Sequence, residues 1–139
     1  MNRAIINILI CFCIFIGLPK ITKGQIWPTD LWTDVVNAQP EGYVTDFEGN
    51  VHIYTAEGLA WLSVLSNGLH GQDAEEFENR TVYLEENIDL TGHAWTPIAT
   101  YIWNGVYEDN HYFKGVFDGK QHLINNMILS KDFDISYVG

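Results

Sequence analysis

The chain has 139 residues, enough for one domain and no more. Eighteen Asp and Glu stand against seven Lys and Arg, a formal charge of −11, and so acidic a surface argues against a nucleic-acid partner. Apolar residues at 47% and aromatics at 14% argue against intrinsic disorder.

Met1 to Gly24 reads as a secretory signal peptide. Arg3 gives the positive start, and Ala4 to Leu18 is an apolar run broken only by Asn7 and Gly17. Pro19 ends it, and Thr22-Lys23-Gly24 offers small residues before a cut at Gln25. The run is shorter than the ~20 apolar residues that span a bilayer, so no membrane span is expected after cleavage. The expected destination is the extracellular space or cell surface, with the periplasm as the other exported compartment. Cys11 and Cys13 both lie inside the leader. The exported part therefore has no disulfide, no thiol nucleophile and no cysteine metal site, and its core alone must hold it. It keeps all 18 acids but only Arg80, Lys114, Lys120 and Lys131 as cations.

Residues 25–50 are aromatic and turn-rich (Trp27-Pro28, Trp32, Pro40-Glu41-Gly42, Glu48-Gly49-Asn50) and read as an irregular entry segment. Val51-His52-Ile53-Tyr54 alternates and suits a short strand. Thr55 has the chemistry of a helix N-cap, and Glu57 suits the dipole of the first turn. Leu59, Leu62, Leu65 and Leu69, with Trp61 and Val64 alongside, define a helical apolar face that ends at Asn67-Gly68. Gly68 or Gly71 can take the left-handed position after the last turn. Gln72 to Asn79 reads as an acidic loop.

From Arg80 the period becomes two. Val82 and Leu84 alternate with Thr81 and Tyr83, and Ile88 and Leu90 with Asn87 and Asp89. Trp95, Pro97 and Ile98 follow. Ala99 to His111 is a polar and aromatic excursion with Asn104-Gly105 as its turn signal. Phe113 and Phe117 bracket Gly115-Val116, Asp118-Gly119 is a turn, and Leu123-Ile124, Met127 and Leu129 resume short strands. The expected fold is mostly β, with one helix near the front.

Three tetrads repeat as Asn, apolar, variable, apolar: Asn50-Val51-His52-Ile53, Asn87-Ile88-Asp89-Leu90 and Asn126-Met127-Ile128-Leu129. Their offsets are 37 and 39 residues. Taking out the 14 residues Ala99 to Tyr112 reduces the second offset to 25, about the size of one β-solenoid turn. In such an array Asn stacks above Asn, and the amides hydrogen-bond along the ladder.

Thr55 to Leu62, Val82 to Leu90, Trp95-Thr96-Pro97-Ile98 and Phe113 to Met127 together resemble the front of GLUG-repeat proteins, many of them exported bacterial surface proteins of Bacteroides-like organisms. A similar pattern occurs in the non-catalytic part of some immunoglobulin-A-cleaving metallopeptidases. The resemblance covers Thr55 to Gly139, and Phe113 to Ile124 is its most specific part. It implies a right-handed parallel β-helix of the pectate-lyase-like kind, with the helix at 55–67 as N-terminal cap and residues 51–139 as cap and first coils. The Gly-Leu-x-Gly signature of the family would begin where Gly139 stands, so the expectation is a fragment of a longer protein, with further coils of the same chain as its first partner.

No histidine among His52, His70, His93, His111 and His122 forms a His-Glu-x-x-His motif. Asp132 with Asp134, and Glu108 with Asp109, are the carboxylate pairs that sugar-bond cleavage or calcium would use. Their default reading is solvated surface, and no cofactor or metal site is expected. Asp118 in its Asp-Gly turn is expected to bond its own backbone. The best binding candidates are Trp95, Tyr101, Trp103, Tyr107 and Tyr112, because aromatic faces stack on sugars and pack at protein interfaces. The resulting expectation is a non-catalytic exported scaffold of adhesion type, contacting glycans or surface proteins. The alternatives are the front of a polysaccharide-degrading β-helix enzyme and the spacer of a secreted metallopeptidase.

Overall fold

The structure is a computed structural model that describes residues 28–103 and 108–129, with backbone alone at 101–103 and 108–110. The expected signal peptide lies outside the described residues. The elements in chain order are β1 (Tyr43–Thr45), β2 (Val51–Ile53), α1 (Ala56–Ser66), β3 (Thr81–Leu84), β4 (Ile88–Asp89), β5 (Tyr101–Trp103), β6 (Glu108–Asn110), β7 (Val116–Asp118) and β8 (Ile124–Asn125). Among the described residues the regular structure is thus mostly strands, with one helix.

Parallel pairing between distant segments organises these strands. β2 pairs with β3 through Val51 and Val82, and β3 pairs with β7 through Val82 and Phe117. β4 pairs with β8 through Ile88 and Ile124. Parallel bridges join Leu31 to Ala94 and Trp95 to Leu129. Antiparallel pairing occurs in β1 with β2 and in the β5–β6 hairpin. The four-stranded sheet runs β1-β2-β3-β7. Parallel neighbours need a long connection: the paired strands β2–β3, β3–β7 and β4–β8 lie 31 to 36 residues apart, while the Leu31–Ala94 bridge spans 63.

Alternation within the short strands sorts the side chains. Val51, Ile53, Val82 and Leu84 are buried, while His52 and Tyr83 between them face outward. Ile88 and Leu90 continue the interior. α1 closes against this core, and it is buried almost all round rather than on one stripe. Its start is as expected, since Thr55 accepts the Gly58 N–H at 3.1 Å. Gly58 is there for contact: a Cβ on it would lie 2.2 Å from the carbonyl oxygen of Gly42. The helix ends at Asn67, and Gly68 takes the left-handed backbone at φ +62. Leu69, expected on the helical face, lies past the helix end but still packs against the core.

Two expectations need correction. The entry segment is part of the fold: it supplies β1, buries Trp32, Val36 and Tyr43, and donates the Trp32 indole N–H to the Leu90 carbonyl at 3.0 Å. The acidic loop is a loop, as expected, and is anchored by the buried Phe77, whose ring lies tilted 5.7 Å from that of Phe113. The Asn tetrads do not stack on one another. β2 lies on β3, and β4 on β8, so the ladders run Asn50 to Thr81 and Asn87 to Leu123. The asparagines still bond to the next strand. Asn50 Oδ1 accepts the Thr81 N–H at 3.0 Å, and Asn87 Oδ1 accepts the Leu123 N–H at 2.9 Å.

Candidate functional site

The aromatic group proposed for binding is only partly gathered. Trp95 is 4% exposed and belongs to the core, so its ring offers no face to a ligand. The reason is register: its backbone bridges Leu129, and its N–H donates to the Ile128 carbonyl at 2.6 Å. Tyr101 and Trp103 sit on β5, opposite Asn110 and Glu108 of β6. The excursion is thus an antiparallel hairpin. Tyr107 lies outside the described residues. Tyr112, just past the hairpin, is 55% exposed. Glu108 and Asp109 belong to β6, while Asp132 and Asp134 lie outside the described residues.

The base of the hairpin is built from buried polar groups. Asn67, at the helix end, donates from Nδ2 to the carbonyls of Ser63 at 2.9 Å and Pro97 at 2.8 Å. Its Oδ1 accepts the Thr100 N–H and hydroxyl, both at 2.7 Å. Ser63 Oγ donates to the Thr96 carbonyl at 2.8 Å, and Ser66 Oγ accepts the Ala99 N–H at 3.1 Å. Helix α1 and its cap residue Asn67 therefore hold the segment entering the excursion, residues 96–100, through side-chain hydrogen bonds. Beside it lies a half-open cavity of about 300 Å3, lined in part by Leu31, Thr33, Asn67, Leu69, His70 and Thr96. That volume is at the small end of ligand pockets, roughly 300–1,000 Å3. Its polar walls are largely engaged within the protein, since Thr33 and Thr96 pair through their hydroxyls at 2.9 Å and His70 Nε2 lies 2.7 Å from the Thr33 carbonyl.

The outer face of the four-stranded sheet holds the densest charged cluster. His52 Nδ1 lies 2.6 Å from Glu85 Oε1, and Nε2 lies 3.3 Å from Asp46 Oδ2. Lys120 Nζ donates to the same Glu85 oxygen at 2.6 Å. The Tyr83 ring stacks on His52 at 5.1 Å, and Lys120 sits 4.5 Å from the Tyr83 centroid. The hydrogen bond to Glu85 is the main cause that raises the His52 pKa above its ordinary value, against a smaller opposing effect of burial and with help from Asp46. Glu85 is held below the ordinary carboxylate range by Lys120 first and His52 second. For Asp46 the largest single influence, desolvation, acts upward. Bonds from His52, Asn50 and the backbone N–H groups of Asn50 and Glu48 together outweigh it and lower the pKa. Sequence reasoning missed this cluster. Each residue is unremarkable alone, and only the Val51–Val82 register sets His52 beside the outward Tyr83 and Glu85.

Other charges pair locally. Glu75 bonds Arg80, and Glu76 takes Lys114 Nζ at 2.6 Å. Asp118 Oδ1 accepts the Lys120 N–H at 2.9 Å, the turn contact expected of an Asp-Gly pair. Among the described residues, no group of three or more His, Cys, Asp or Glu is placed to hold a metal ion, and no helix is long and apolar enough to cross a membrane. No family model, curated protein or solved structure matches the chain.

Proposed function

We propose that the chain opens a right-handed parallel β-helix of the pectate-lyase-like kind and acts as a non-catalytic, exported surface module of adhesion type. The resemblance of Thr55 to Gly139 to GLUG-repeat proteins supports this reading, and so does the signal-like leader. The observation that carries it is the set of parallel pairings: Val51 on Val82 on Phe117, Ile88 on Ile124, and Trp95 on Leu129. All of them recur at about the same chain separation, as stacked coils require. β1 occupies the free edge of β2 with α1 packed beside it, in the manner of a cap. β7 and β8 lie at the other end, where a further coil would pair.

A scaffold role also fits the ion pairs of His52 with Asp46 and Glu85, Lys120 with Glu85 and Lys114 with Glu76, in which these groups are engaged with one another. In this reading the β5–β6 hairpin is the contact surface, projecting from one coil and anchored at its base by Asn67. Glycans or surface proteins are its partners. Retention of the exported protein on a glycan array tests it, with Trp103→Ala combined with Tyr107→Ala as the variant. Loss of two stacking rings is expected to weaken retention by ~tenfold while leaving the far-ultraviolet spectrum unchanged. Equal retention by the two proteins would remove the hairpin as the glycan contact.

A further inference from the structure

The cluster on the outer sheet face joins three parts of the chain that are far apart in sequence. Asp46 lies in the turn between β1 and β2, His52 on β2, Glu85 just after β3, and Lys120 just after β7. The ionisable groups facing His52 are Asp46 from the turn and Glu85 and Tyr83 from the next strand. Lys120 reaches Glu85 from the strand after that, and Asp118 holds the Lys120 backbone. Glu48, in the same turn, takes Asn50 Nδ2 at 3.4 Å.

An imidazole that carries both protons can donate to Asp46 and Glu85 at once. A neutral imidazole has one N–H, so it turns a lone pair toward one of the two carboxylates. The turn has one other long-range tie among the described residues, the Thr81 N–H donated to Asn50 Oδ1 at 3.0 Å, and that tie does not titrate. Asp46 Oδ1 accepts the N–H groups of Glu48 and Asn50, both at 2.9 Å, and these bonds are local to the turn. β1 itself is an edge strand, paired only with β2 within its sheet.

We infer that Asp46, His52, Glu85 and Lys120 form a pH-responsive clamp that fastens the β1–β2 turn to the two following strands in mildly acidic solution and releases it in alkaline solution. The clamp operates whichever partner the hairpin contacts. Its direction follows from linkage. His52 has a raised value in the folded protein, so its stabilisation is complete below its ordinary value of about 6.5 and is lost as pH rises through the raised one. Glu85 and Asp46 have lowered values, so their stabilisation is present above the ordinary carboxylate range and is lost as pH falls through the lowered ones. The clamp is therefore fully charged in the window between them.

Two measurements on the exported protein test this. In an NMR titration of the histidine ring signals, His52 is expected to titrate above about 6.5 in the wild type and to fall toward that value in Glu85→Gln. In hydrogen exchange, the protection factors of the Glu48 and Asn50 amides are expected to drop severalfold between about pH 5.5 and about pH 8.5. In His52→Gln the same factors are expected to be low at both values and to change little. If that variant does not fold, Glu85→Gln serves instead, and the drop in protection between the two pH values is expected to be smaller than in the wild type because only the Asp46 contact remains. A wild-type His52 titrating at or below its ordinary value, or turn protection that does not depend on pH, would overturn the clamp.

Discussion

Asn67 shows how much one polar side chain decides. It is 4% exposed, and its amide saturates two carbonyls and two donors at the junction of helix and excursion. Buried groups left without partners cost about 1–3 kcal/mol each. Asn67→Ala is expected to destabilise the protein by about 2–3 kcal/mol, because the Thr100 N–H loses its partner and the Pro97 carbonyl keeps only Ser63 Oγ at 3.3 Å. Urea denaturation followed by tryptophan fluorescence measures it. A loss under about 1 kcal/mol would mean that water replaces the amide at this junction. Asn50 and Asn87 play a similar part at smaller scale, each capping a backbone N–H of the neighbouring strand.

Among the elements, the entry segment departs furthest from its sequence reading. Its composition is that of a loop, yet Trp32 lies in the core with its N–H on Leu90, and Leu31 bridges Ala94. A segment that merely led into the domain could be altered without consequence. Trp32→Ala is instead expected to cost about 3–5 kcal/mol, the range for removing a buried aromatic ring. Chemical denaturation is again the measurement, and a neutral result would show residues 28–36 to be dispensable. Helix α1 is the opposite case. Thr55 and Gly68 mark its ends as read from the sequence. What the leucine spacing could not foresee is burial on nearly every side, with Ser63, Ser66 and Asn67 turned inward as hydrogen-bonding groups.

For the molecule as a whole, exposed large apolar side chains lie both at the front, where Phe47 is 97% exposed in the β1–β2 turn, and along the last strands. There Val116 and Leu123 are both 61% exposed, and Phe117, Met127 and Leu129 are exposed as well. Among the described residues β7 and β8 end their sheets, so this side presents strand edges as well as apolar surface. Such edges template pairing with another chain unless charge or cover prevents it. A protein of residues 25–139 is expected to self-associate reversibly as its concentration rises. Val116→Lys with Leu123→Lys is expected to raise the dissociation constant by about tenfold or more, given the apolar area each residue would bury. Sedimentation velocity checks both statements. Association unchanged by the two lysines would place the contact elsewhere.

Local chemistry by itself determined the class of the chain: strands of period two, a helix with its cap residues, and an Asp-Gly turn at 118–119. These are encoded over a few residues, where dihedral preference and neighbouring hydrogen bonds decide. Tertiary structure alone decided which strand lies on which. The tetrads suggested Asn over Asn, but shape and apolar fit set Val51 on Val82 and Ile88 on Ile124 instead. That choice placed Trp95 in the interior, drew Trp32 into the core, and brought Asp46, His52, Glu85 and Lys120 together. The reason is that pairing over 30 or more residues depends on how whole faces fit, and no short window of sequence records it.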